Sequence, residues 1–153
     1  MEPGRFTITT VKNNFRGRLY LHHSLGTQRV VVNTGNSGFG SIAINDWLVY
    51  DGLGSNKKVI ARARGVQHNT LNTNTPFARW NITFYLEFEN DGSRIDVRGQ
   101  LNWPTEWTII GGTGKFARAE GIIYADRVQE SGGTNILELN IDGTCAPSTK
   151  KSP

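Results

Sequence analysis

Cysteine is almost absent: Cys145 is the only one in 153 residues. No internal disulfide can form, which fits a reducing compartment and excludes disulfide-framework and cysteine-ligated zinc proteins. Cys145 sits in Gly143-Thr144-Cys145-Ala146-Pro147 with no basic neighbour to activate it, so it reads as an incidental thiol. No apolar run approaches the roughly 18 residues of a membrane span, so no membrane partner is expected. Helix formers are scarce, with eight Ala and ten Leu against 36 Val, Ile and Thr. The opening Met1-Glu2-Pro3-Gly4-Arg5 lacks a basic stretch leading into an apolar one. The expectation is therefore a cytoplasmic protein, or an extracellular one if a signal has been removed ahead of Met1.

Familiar catalytic and metal patterns are missing too. His22 and His23 are strand neighbours pointing to opposite faces, and His68 lies in a separate segment. No metal or cofactor is expected from them. There is no Gly-x-Ser-x-Gly elbow. Gly111-Gly112-Thr113-Gly114-Lys115 lacks both the spacer and the final Ser or Thr of a phosphate loop. The net charge of +4 is spread along the chain, Lys57-Lys58 and Lys150-Lys151 being the densest pairs. That argues against nucleic acid and leaves a mild preference for acidic polymers, acidic glycans among them.

What the chain does have is strand character. With 37% hydrophobic and 20% charged residues, it has the composition and length of one globular domain. Eight stretches are strand-length and rich in β-branched or aromatic residues: Arg18–Leu25, Gly40–Val49, Val59–Gln67, Trp80–Glu89, Arg94–Trp103, Trp107–Ile110, Gly121–Gln129 and Asn135–Asp142. Turn signals separate them, at 33–38, Asp51-Gly52, Asn90-Asp91-Gly92, Gly111–Gly114 and Ser131-Gly132-Gly133. The polar stretch Asn69–Pro76 reads as a loop. Eight evenly spaced strands suggest an all-β barrel or sandwich over residues 1–145. The end, 146–153, reads as a linker to a further domain.

Several tryptophans neighbour an amide or carboxylate: Trp47 follows Asn45-Asp46, Trp103 follows Asn102, and Trp80 precedes Asn81. A flat ring beside such a group suits a sugar, because the ring covers C–H bonds and the polar group takes hydroxyls. Tryptophans of small barrels also serve as plain core or interface residues.

The run Leu19-Tyr20-Leu21-His22-His23, then Phe39–Asp46, Ala61-Arg62-Ala63-Arg64-Gly65, Gly92-Ser93 with Gly99, and above all Ile110–Gly121 resembles the plant dirigent proteins. The order and spacing hold from Arg18 to Asp142. The resemblance implies an eight-stranded antiparallel β-barrel with a pocket at one end, usually packed into oligomers. It also implies steering of phenoxy-radical coupling without oxidation. The family pocket uses an Asp after the strand histidine and an Arg in an Ala-Arg-Gly ending; here these positions hold His23 and Glu120, and Ala117 replaces a further Arg. Losing a fixed anion and exchanging a cation for an anion remove that chemistry in its usual form.

The lone cysteine and linker-like end resemble the dirigent half of monocot chimeras that join a dirigent domain to a jacalin-type lectin, proteins of defence and stress. The expectation from sequence is therefore a non-catalytic carbohydrate-binding module. It would bind a short galactose-containing oligosaccharide through His23, Asp46, Trp47, Trp103, Arg118 and Glu120. Arg118 and Glu120 are expected on one strand face. The expected partners are a glycan, further copies of the chain as a dimer or trimer, and the attached jacalin-type domain. The alternatives are an oligomerisation module for that lectin, and a true dirigent using His23 as proton donor or acceptor.

Overall fold

A computed structural model describes residues 8–11, 13–24, 27–34, 40–70 and 80–146. Ten strands follow in chain order: β1 (Thr9–Val11), β2 (Asn14–Ser24), β3 (Gln28–Val32), β4 (Ile42–Tyr50), β5 (Val59–Asn69), β6 (Trp80–Phe88), β7 (Arg94–Gln100), β8 (Thr105–Thr113), β9 (Glu120–Ser131) and β10 (Thr134–Thr144). They form one antiparallel sheet in the order β1-β2-β10-β9-β8-β7-β6-β5-β4-β3, closed by pairing of β2 with β4. Eight strands therefore make the barrel, while β1 and β3 flank it on β2 and β4.

The eight barrel strands are those expected from sequence, because each alternates. On β4, Ala43, Asn45, Trp47 and Val49 are buried; on β6, Ile82, Phe84, Leu86 and Phe88; on β10, Leu137, Leu139 and Ile141. A period of two puts one set inside the barrel and the other in solvent. Burying a Leu, Ile or Phe side chain contributes about 1.5–3 kcal/mol, so this inner set drives closure. β3 was not foreseen. Its Val30, Val31 and Val32 are all exposed, so neither face carries the alternation that betrays a barrel strand.

Two boundaries differ from the expectation. β7 ends at Gln100, so Trp103 lies in the connection after it. Gly111 and Gly112 belong to β8, and the turn begins only at Gly114. A Cβ on Gly112 would lie 2.3 Å from the Phe116 carbonyl oxygen and 2.6 Å from that of Arg94. The bare backbone there lets the single 3-10 turn Gly114–Phe116 fold back onto the sheet. Gly114 itself sits at φ 63°.

That turn seals one end of the barrel. The Phe116 ring lies 5.1 Å from Phe15 and 5.2 Å from Phe88, and the Cys145 thiol is buried beside it, donating to the Lys115 carbonyl. The other end gathers the last residues of β2, β5 and β7 with the first of β4, β6 and β8. Much of the loop expected at Asn69–Pro76 and of the turn at 33–38, and the tail beyond Ala146, lie outside the described residues.

Candidate functional site

At the end away from Phe116, the inner face changes character. His23 on β2 is 6% exposed, and its ring stands 4.7 Å from Trp47 and 5.3 Å from Trp103. Trp47 reaches the interior from β4. Trp103 comes from the connection after β7 and packs half-buried against the core. Beside them on the inner face lie Asn45 of β4 and Gln67 of β5, both buried.

Four of these side chains hold polar atoms that are buried without a hydrogen-bond partner: both ring nitrogens of His23, Asn45 Oδ1, Trp47 Nε1 and Gln67 Oε1. An unpaired buried polar group costs about 1–3 kcal/mol, and native interiors rarely leave several together. The contrast with Trp107 is instructive. That ring is also fully buried, but its indole N–H donates to the Gln100 carbonyl at 2.7 Å. Trp107 is a satisfied core residue; Trp47 offers its N–H to whatever enters.

Burial lowers the His23 pKa below the ordinary imidazole value, with its own backbone carbonyl opposing this. The ring is therefore neutral near pH 7 and carries one donor and one acceptor. His22 points the other way, as its position one residue earlier requires. Its ring lies 4.3 Å from that of Tyr50, and burial together with the Lys57 charge lowers its pKa as well. Among the described residues, no three His, Cys, Asp or Glu side chains gather as a metal site would require.

Of the six residues proposed from sequence, the structure brings together His23, Trp47 and Trp103. The other three lie elsewhere. Asp46 faces outward, because it follows Asn45 and precedes Trp47 on one strand. There it accepts from Arg62 at 3.2 Å and Arg64 at 3.3 Å, in a ladder that extends to Glu87 and Glu89. Arg118 and Glu120 do not share a strand face. Arg118 lies in the turn before β9 at φ 57°, and Glu120 is the exposed first residue of β9, at the Phe116 end. The inward neighbours of Trp47 are the residues two positions away, so Asn45, not Asp46, is its polar companion. Counting alternate residues along Ala43–Val49 would have found it.

The family model for dirigent-like proteins matches residues 15–142. The chain belongs to the dirigent-like family. Solved barrels agree with this. The pterocarpan synthase dirigent protein GePTS1 is 20% identical with a TM-score of 0.72, the match covering 92% of this chain and 89% of that one. The pterocarpan synthase dirigent protein PsPTS1 is 16% identical with a TM-score of 0.74, covering 92% and 100%. A pyocyanin demethylase is 18% identical with a TM-score of 0.58, covering 81% and 97%. No curated protein matches in a sequence search. At such identities the structural likeness speaks for the dirigent-like barrel alone. Within that barrel, His23 stands where the family resemblance places an Asp, and it is the departure that falls in the inner cluster. Glu120 and Ala117, the other two, lie outside it at the Phe116 end.

Proposed function

We propose that the chain is a dirigent-type binding barrel whose His23 end takes a small planar phenol against the rings of His23, Trp47 and Trp103 and fixes the face on which it reacts. The observation that carries this reading is the group of unpartnered buried polar atoms on His23, Asn45, Trp47 and Gln67, flanked by two indole rings. Aromatic walls with a few convergent polar groups suit a flat, largely apolar ligand. The electrons are removed beforehand by a separate oxidant. Two phenoxy radicals then pair their odd electrons in one new bond, and the barrel supplies orientation. His23, neutral and central, takes a proton from an attacking hydroxyl and returns one to the quinone-methide oxygen, with no net change.

The carbohydrate expectation rested on rings standing beside an amide or carboxylate, and of these the inner cluster keeps only the amides Asn45 and Gln67. Asp46 is turned away from Trp47, and Glu120 sits at the far end, so the inner cluster offers a sugar no anion. A homo-oligomer stays part of the proposal, with Ile110, Ile122 and Tyr124 exposed on the outer face of β8 and β9 as its contact surface; sedimentation at several concentrations tests that part.

The test of function supplies an external one-electron oxidant and coniferyl alcohol, and reads product handedness by chiral chromatography. An enantiomeric excess that falls in Trp103→Ala and His23→Ala is expected. Racemic product from the wild-type protein, with saturable binding on a glycan array, would return the chain to the carbohydrate reading.

A further inference from the structure

Asn45 entered the sequence reading only as a neighbour of Asp46, and Gln67 only as a strand end. Their hydrogen bonds say more. Asn45 donates through Nδ2 to the Ala63 carbonyl at 3.0 Å. A carbonyl can only accept, so the amide cannot flip, and its Oδ1 is held on the other side, buried and unpartnered. Gln67 donates through Nε2 to Gln28 Oε1 at 3.1 Å, which leaves its own Oε1 likewise unpartnered. Register sets the two together. Asn45 lies opposite Gly65 and Ala43 opposite Gln67, so they are diagonal neighbours on the inner face, about 7 Å apart.

Among the described residues, the buried Asp, Glu, Lys and Arg side chains reduce to Asp51. It lies beyond the last residue of β4, at the opposite end, and accepts from the Lys58 N–H. The remaining polar atoms of the cluster are the Trp47 N–H donor and the imidazole of His23.

From this arrangement the geometry points to a specificity device: two buried carbonyl oxygens, Asn45 Oδ1 and Gln67 Oε1, that read hydroxyl hydrogens on an uncharged ligand. The inference rests on the reading of this end as an aromatic-binding site, and it states what that ligand carries: at least one free O–H and no carboxylate. One hydroxyl can serve both sides of the cluster, donating to an amide oxygen while accepting from the Trp47 N–H. A methyl ether leaves the amide oxygens unpaired. A carboxylate meets them negative end to negative end, with no buried cation among the described residues. Sites built to hydrogen-bond a hydroxyl reject analogues that lack it, and one such bond reads as about tenfold or more in affinity.

The experiment is calorimetric titration with three probes of one shape, 4-propylphenol, 4-propylanisole and 4-propylbenzoate, on the wild-type protein and on the Asn45→Leu and Gln67→Met variants. The wild type is expected to bind the phenol at least about tenfold more tightly than the other two, and either folded variant to bring phenol and anisole within about twofold. Asn45→Leu also breaks the bond to Ala63; Gln67→Met keeps length and volume and serves if the first variant does not fold. Equal wild-type binding of phenol and anisole, equal binding of the benzoate, or a phenol preference that survives both substitutions overturns the inference and leaves the aromatic site standing. No binding of any probe by the wild type overturns the aromatic site and the inference with it.

Discussion

Replacing His23 by leucine tests the inner cluster through stability. The imidazole is 6% exposed, and neither ring nitrogen has a partner. A neutral imidazole buried with its donor and acceptor unpaired is destabilised by about 1–3 kcal/mol per group. Leucine fills a similar space between Trp47 and Trp103 and carries no polar atom. Against this gain stands the loss of two ring contacts, each about 0.5–1.5 kcal/mol. The balance is a free protein more stable by about 1 kcal/mol, which for a chain of this length raises Tm by about 3 °C.

The pH dependence has a definite sign. Burial holds the folded-state pKa of His23 below its ordinary value. As pH falls below about 6.5, the unfolded chain takes up this proton before the folded one does. The stability is therefore complete above that pH and is lost as pH falls through the folded-state value. Leucine takes up no proton, so the advantage of the variant grows on acidification. Urea unfolding of both proteins at pH 7.5 and pH 5.5, followed by tryptophan fluorescence, measures this. A variant less stable than wild type at pH 7.5 by more than about 1 kcal/mol, or an advantage that shrinks in acid, would refute the reasoning. His23 would then be a satisfied core residue and not an open one.

Gly112→Ala forces a Cβ to within 2.3 Å of one backbone oxygen and 2.6 Å of another; a loss of at least about 2 kcal/mol in denaturant unfolding is expected. Asp46→Asn removes the outer partner of Arg62 and Arg64, whose side chains are 39% and 38% exposed. It should cost less than about 1 kcal/mol, a cost that fades in 1 M salt, and leave phenol affinity unchanged in calorimetry. Burial raises the Cys145 pKa, so an aromatic disulfide reagent at pH 8 should label it far more slowly in the folded protein than in urea.

The barrel was legible because its strands obey one rule: inner residues apolar, outer ones polar, with glycine-rich turns between. β3 escaped because Val30–Val32 pack against no core and so show no alternation. Half of the site escaped for a different reason. Adjacency in sequence suggested Trp47 with Asp46, but a strand places neighbours on opposite faces, and the companion of Trp47 is Asn45. Arg118 and Glu120 looked like partners because strand alternation was carried back ahead of the expected strand at Gly121; the 3-10 turn ends at Phe116, β9 starts at Glu120, and Arg118 falls in the connection between them. The register that brings Gln67 beside Asn45 runs through β-sheet pairing over more than 20 residues, which no local pattern carries.

The central claim, that a planar phenol enters at His23, is tested most directly by the indole N–H signals in a nitrogen–proton correlation spectrum during titration with 4-propylphenol. The account predicts a saturable shift of the Trp47 signal, accompanied by Trp103, while Trp107, already bonded to Gln100, stays in place. A Trp47 signal that does not move at saturating phenol would contradict it.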